Sequence, residues 1–225
     1  MPRYPRIPHL AGSQTDDGDL LLSARQTSAA LARPLDVYEK LDGLNVGLQF
    51  QRPGQVRIMS RFWGALPPDA LGADLRPLAA WALRGLPRLW ALLGTRYVAY
   101  GEWLGACLGV RYRALPDLLI FFDLYDRRRR DFVRREAAWR RYAAAGLETN
   151  RLRYRGRIRS PEELPQRCAR SSYGAGALEG WILCAGQRTY KFVRPGYRAL
   201  PESRLGLELN QAAADARYSC EPILV

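Results

Sequence analysis

Two runs of alternating apolar and polar residues meet at a single lysine, and that junction limits what the chain can fold into. Leu35 and Val37 alternate with Asp36 and Tyr38 on the way in, and Leu44, Val46, Leu48 and Phe50 alternate with Asn45, Gly47 and Gln49 on the way out. A period of two is the pattern of half-buried strands, because successive side chains then point to opposite faces. Between the runs, Glu39-Lys40-Leu41-Asp42-Gly43 has to bend. Gly43 permits a tight bend or a close backbone approach to a phosphate. Lys40 becomes a nucleophile if its amine loses a proton, which burial against apolar strands and a nearby cation or metal both favour. Lys-x-Asp-Gly equally suits a solvated surface hairpin, so the rest of the chain decides.

Elsewhere strands dominate. Arg52-Pro53-Gly54-Gln55 is a turn signal, and residues 56–61 are expected to pair back as a hairpin. Residues 67–94 read as two short helices interrupted at Pro77 and Pro87. Residues 97–103 return to strand, and residues 118–126, apolar and closed by acids, match a central buried strand. Residues 127–146 read as a basic helix with Phe132, Val133, Trp139 and Tyr142 as buried contacts. Ser160-Pro161-Glu162-Glu163 fits a capping box that starts a helix towards Arg170. Residues 179–184 and 188–194 form a second hairpin across Ala185-Gly186-Gln187. Prolines at 2, 5 and 8 keep the first ten residues extended, and residues 12–19 read as a loop. With no internal repeat or low-complexity segment, the 225 residues are expected to form one domain.

The chain has 35 Lys+Arg against 22 Asp+Glu, a net charge of +13, and nearly all of the basic side is arginine. Arginine's planar fork suits phosphate, which points to a polyanionic partner, although an arginine-biased genome raises the same count. The N-terminus lacks the apolar core of a signal peptide, and no stretch reaches membrane-spanning length free of Arg or Pro. Cys107, Cys168, Cys184 and Cys220 are scattered, with no Cys-x-x-Cys, as expected of reduced structural cysteines in a cytoplasmic protein. His9 is the only histidine, which argues against histidine acid–base catalysis, Ser-His-Asp triads and the common zinc sites.

Glu39-Lys40-Leu41-Asp42-Gly43, Arg61, Gly101-Glu102, Phe121-Phe122-Asp123, Glu179-Gly180 and Lys191-Phe192-Val193-Arg194 stand in the order of covalent nucleotidyltransferase motifs. The set resembles the nucleotidyltransferase domain of phage-type ATP-dependent RNA ligases over about residues 4–197, supported by the subsidiary stretches 4–10, 154–156 and 172–174. The resemblance implies an α+β fold of packed, mostly antiparallel sheets with flanking helices and a nucleotide cleft between the sheets. It implies that Lys40 attacks the α-phosphorus of ATP, that AMP passes to an RNA 5′-phosphate, and that a 3′-hydroxyl then displaces AMP. By the same resemblance Glu39, Leu41, Asp42, Gly43 and Asn45 flank the nucleotide, Arg61 holds phosphate, Glu102 contacts the ribose and Phe122 stacks on adenine. Glu179 handles a divalent metal, Mg²⁺ or Mn²⁺, while Lys191 and Arg194 neutralise the α-phosphate and help to lower the Lys40 pKa.

Since Phe121 and Phe122 alternate on a strand, one of them is expected in the core. The sequence departs from the family pattern in three places: Cys184 stands where an arginine is common, Arg194 must stand in for one of two lysines, and no C-terminal oligonucleotide-binding domain is expected after the motifs. RNA binding then falls to the domain's own arginines, with Arg127, Arg128, Arg129, Arg130, Arg134, Arg135, Arg140 and Arg141 as the densest group, or to a partner protein. A monomer that does not engage membranes is expected. The same motifs also suit a DNA ligase, a GTP-using capping enzyme, or a nucleotide- or RNA-binding protein that has lost turnover.

Overall fold

The computed structural model describes residues 2–60, 63–72, 75–105, 108–174, 176 and 178–197. Arg61 therefore lies outside the described residues. Helix α1 (Ala24–Leu31) begins at a reciprocal cap in which Ser23 Oγ accepts the Gln26 N–H at 3.3 Å and Gln26 Oε1 accepts the Ser23 N–H at 2.9 Å. Strands β1 (Leu35–Lys40), β2 (Leu44–Arg52) and β3 (Gln55–Ser60) follow, then helices α2 (Arg76–Arg84) and α3 (Leu86–Leu93). The remaining order is β4 (Tyr97–Trp103), β5 (Leu119–Asp126), β6 (Asp131–Phe132), α4 (Arg135–Ala144), β7 (Leu152–Gly156), α5 (Leu164–Arg167), β8 (Gly180–Ala185) and β9 (Arg188–Val193).

These strands make two antiparallel sheets, ordered β7-β1-β8-β9 and β3-β2-β4-β5-β6. β1 and β2, adjacent in sequence, belong to different sheets, so residues 41–43 carry the chain from one sheet to the other immediately after Lys40. Alternation decides which side chains meet. Leu35 and Val37 point away from Lys40 and join Trp181, Leu183 and Phe192 against Leu31 of α1 and Leu164 of α5. Val46, Leu48, Phe50, Ala99 and Phe121 of the second sheet pack against Leu78, Trp81, Leu89 and Tyr142 from α2, α3 and α4. Fully burying side chains of this size stabilises the fold by roughly 1.5–3 kcal/mol each before chain entropy is subtracted. Near Lys40, Leu41, Tyr112, Ile120, Tyr173 and Val193 form a separate apolar cluster.

Several expectations need correction. Pro77 and Pro87 do not interrupt helices; each lies in the first turn of its helix, where a missing N–H costs nothing, and the break falls at Gly85. The basic helix starts at Arg135 rather than Arg127. Arg127, Arg128, Arg129 and Arg130 form the turn between β5 and β6, because Asp126 Oδ1 accepts the N–H groups of Arg128 at 3.0 Å and Arg129 at 3.3 Å. Arg130 completes that turn with φ of 55°. Ser160 makes no side-chain cap, and its helix is a short 3₁₀ turn continued by α5. β5 is not flanked along its whole length, since β6 pairs only with Tyr125 and Asp126.

Candidate active site

Lys40 ends β1 opposite Gly180 of β8, which brings it beside Glu179. Its Nζ lies 2.5 Å from Glu179 Oε1. Gly180 is fixed by space, because a Cβ there would meet the Phe192 carbonyl oxygen at 2.2 Å. Gly43 is fixed in the same way, with the Trp103 carbonyl oxygen 2.4 Å from where its Cβ would stand. The backbone can thus cross between sheets directly against β4. Asp42, itself buried, anchors the crossing: its Oδ2 accepts the Val110 N–H at 2.7 Å, and its own N–H donates to Tyr112 Oη at 2.7 Å.

Burial disfavours the Lys40 ammonium, but the carboxylates of Glu179, Glu102 and Asp42 outweigh it, so the Lys40 pKa is raised. The expectation that Lys191 and Arg194 lower it is therefore corrected: the groups that act on Lys40 are anionic. Burial pushes the Glu179 carboxyl up to about 7 against the pull of Lys40 and, more weakly, Lys191. Glu179 Oε2 is buried and has no hydrogen-bond partner among the described residues. No group of three or more His, Cys, Asp or Glu side chains able to hold a metal occurs among them.

The two sheets contribute different parts. Lys191 shares the Lys40 face of the first sheet through the pairs Ile182–Lys191 and Tyr38–Ile182, and its Nζ lies 3.3 Å from Asp19 Oδ1. Asn45 and Glu102 are cross-strand partners on the second sheet. A β-bulge between Tyr100 and Gly101 pairs them with Asp123 and Phe121, so Phe122 is the extra residue on β5. As a result Phe121 sits in the helix-side core, stacked on Tyr142 at 4.8 Å. Phe122 joins Met59, Val98 and Tyr100 on the face that carries Glu102.

Other expected residues have structural partners instead. Glu39 points to the opposite face from Lys40, fully buried, with Oε2 accepting the Ser172 N–H at 2.6 Å. Leu41 belongs to the apolar cluster beside Lys40. Arg194 lies beyond the end of β9; its Nε donates to the Leu178 carbonyl at 2.7 Å and its guanidinium covers the Tyr197 ring. Val193, two residues after Lys191 and on the same face, is apolar and packed. Cys184 is buried with its thiol pushed up to about 11, and the cation acting on it is Arg135 of α4. Arg135 also donates to the Gly186 carbonyl at 3.0 Å and Thr189 Oγ1 at 2.8 Å.

The N-terminal arm is the part that residue reading missed. Tyr4 packs on Phe122 with centroids 5.1 Å apart and donates to Asp123 Oδ2 at 2.5 Å. Further along, the Pro8 carbonyl accepts the Lys191 N–H at 3.0 Å, and His9 Nε2 lies 2.9 Å from Asp19 Oδ2. The stretch 4–10 was visible as a motif, but nothing in sequence spacing ties residue 19 to residue 191.

Among the described residues no helix is long and apolar enough to cross a membrane. Comparison with curated proteins returned no match. Solved structures do match. A Naegleria gruberi RNA ligase variant with AMP and Mn aligns with a TM-score of 0.58 at 15% identity, covering 77% of this chain and 53% of that one. Another variant of that ligase, with ATP and Mn, gives 0.55 at 14% identity and covers 87% and 61%. The chain thus spans little more than half the length of these structures, and at such identity the likeness speaks for the fold. The family model described as RNA ligase matches residues 33–193, most of the chain and all of the strands described above, and the chain belongs to the RNA ligase family.

Proposed function

We propose that the chain is the nucleotidyltransferase domain of an ATP- and divalent-metal-dependent RNA ligase that works through lysyl-AMP. The observation that carries this reading is the Lys40–Glu179 pair of 2.5 Å, with Glu102 and Asp42 around it, in a chain of the RNA ligase family. Lys40 and Lys191 are the chain's only two lysines, and both lie on one face of one sheet. A nucleophilic nitrogen requires lysine, since arginine stays protonated.

At rest Lys40 is an ammonium held by Glu179, so it must pass a proton to solvent before its Nζ lone pair can attack. Nζ then bonds to the α-phosphorus, the bond from that phosphorus to the bridging oxygen breaks, and pyrophosphate leaves. Such transfer depends on positioning and charge neutralisation rather than on a proton relay, and the single histidine, His9, is held by Asp19 beside Lys191. Lys191 supplies positive charge, Glu102 and Asn45 face the sugar, and Phe122 offers a ring for the base. When bound, a divalent ion supplies charge neutralisation at the phosphates; the unpartnered Glu179 Oε2 fits the carboxylate-and-water shell that magnesium and manganese accept. The unpaired thiols of Cys168 and Cys184 suit a cytoplasmic setting.

The test is intact-mass analysis after incubation with ATP and Mg²⁺ or Mn²⁺. One added AMP is expected, and none on Lys40→Ala. An adduct formed from GTP alone would move the chain to capping chemistry, and an adduct that survives Lys40→Ala would sink the reading.

A further inference from the structure

The outer strand of the first sheet carries a charge pattern that the nucleotide cleft does not use. Arg151, Arg153, Arg155, Arg157 and Arg159 occupy every second position. β7 is the terminal strand of its sheet, so this row lines an open edge. It begins beside the nucleophile: Asn150 Nδ2 donates to the Glu39 carbonyl at 2.7 Å, and the Arg151 guanidinium lies 5.1 Å from the centre of the Tyr173 ring. From there it runs antiparallel to β1, with Arg155 opposite Asp36. A β-bulge opposite Val37 and Tyr38 makes Arg153 the extra residue on β7, so Arg153 reaches Ser172 on the Glu39 side while Arg155 reaches Asp36, and guanidiniums project from both sides of the edge. Beyond Gly156 the row passes round the edge to the helix side of the sheet, into a cleft of about 880 Å³ lined by Arg157, Arg159 and Arg167 with Tyr154, against the single acid Glu163.

The arginines differ in what already holds them. Arg153 ties down the neighbouring loop through Ser172 Oγ and the Arg170 carbonyl. Arg155 pairs with Asp36 at 2.6 Å, yet its side chain stays 69% exposed. Arg167 is shared between Glu163 at 3.3 Å and the Tyr154 ring at 4.7 Å. Arg157 and Arg159 are exposed, and their guanidiniums make no hydrogen bond or ion pair among the described residues. Two unpaired guanidiniums at the mouth of a basic cleft, continuous with a row that starts at the nucleophile, suit a polyanion better than any internal role.

We propose that the β7 edge and the Arg157–Arg159–Arg167 cleft form the track that holds the phosphate backbone of the RNA strand leading to Lys40. This rests on the RNA ligase reading and gives that site its route to substrate. The other arginine-rich group, the turn at 127–130, follows Asp126 on the second sheet, and the two groups are told apart by experiment.

The experiment measures binding of a single-stranded oligoribonucleotide across a salt series, for the wild-type chain and two double variants. Each phosphate contact on a single strand contributes about 0.7 to the slope of log affinity against log salt. Arg157→Ser/Arg159→Ser should reduce the slope by about 1.4, so the loss of affinity between about 50 and about 200 mM salt shrinks by about sevenfold. Arg128→Ser/Arg129→Ser should keep the wild-type slope. Melting temperatures of all three chains check that folding is equal. An unchanged slope in the first variant, a reduction confined to the second, or equal reductions in both would overturn the track. The mass of the wild-type chain after ATP is read separately: no AMP adduct would defeat the ligase reading, while the slopes would still locate the polyanion.

Discussion

Adjacent phenylalanines on β5 give a sharp test of the site, because they pack on opposite sides of the sheet. Phe121 is fully buried, stacked on Tyr142 at 4.8 Å and 6.1 Å from Trp81, so Phe121→Ala empties a ring-sized volume in a closed core. Such truncations cost about 3–5 kcal/mol. For a chain of this length that lowers the melting temperature by roughly 6–20 °C. Phe122 is half-buried beside the Tyr4 ring, so Phe122→Ala gives up less packing. If it stacks on adenine it instead forfeits about 1–3 kcal/mol of base contact, roughly 5–150-fold in nucleotide affinity. The assay pairs a thermal melt with an ATP titration of AMP uptake for both variants. Phe121→Ala should melt early yet bind normally at low temperature, and Phe122→Ala should do the reverse. If Phe121→Ala keeps its melting temperature and loses nucleotide, or Phe122→Ala titrates like wild type, the assignment of faces is wrong.

Because the chain has just two lysines, ¹³C labelling of lysine should resolve Lys40 by NMR without metal or nucleotide. Lys40 should titrate above the ordinary lysine range, and Glu179→Gln, which removes the strongest anion acting on it, should move the midpoint down in pH; no movement, or movement upward, refutes the pairing. Gly43→Ala puts a methyl against the Trp103 carbonyl oxygen, and overpacking against backbone should cost about 1–3 kcal/mol in urea denaturation; wild-type stability would show that the crossing is looser than described. The Asp126 carboxyl is pulled down to about 2 by its hydrogen bond from Arg96. A depressed carboxyl stabilises the fold above its unfolded pKa and loses that contribution as pH falls through the folded one. Stability measured from about pH 5 towards about pH 2 should therefore fall less steeply in Asp126→Asn than in wild type; parallel curves would discount the pair.

What the sequence made legible was local. Alternation placed β1, β2, β4 and the β8–β9 hairpin correctly because a two-residue period needs no knowledge of neighbours. The order of motifs brought Lys40, Glu102, Glu179 and Lys191 to one region of the fold. What stayed hidden depends on three dimensions. No pattern shows that β1 and β2 enter separate sheets, or that the bulge beside Gly101 decides which phenylalanine faces the cleft. The Arg127–Arg130 run resembled the start of a helix because its charges were counted and the Asp126 side chain before it was not. Pro77 and Pro87 read as breaks in sequence, although proline equally begins helices. α1 was the avoidable omission, since Ser23 and Gln26 spell out its cap.

Placing Lys40 at the point where the chain changes sheets has a mechanical consequence for the proposed reaction. Lys40, Glu179 and Lys191 sit on one sheet or just before its strands, while Asn45, Glu102 and Phe122 sit on the other. A nucleotide gripped by both would act as a removable rivet across the seam. Its binding free energy would then appear as cohesion between the two halves, raising the melting temperature with ligand concentration as mass action requires. Once AMP is joined to Lys40 the rivet is covalent at one end, and the halves should stay fastened after free ATP is washed away. The adenylylated chain should therefore out-melt the free chain in nucleotide-free buffer, and relax to the lower value when AMP is passed on.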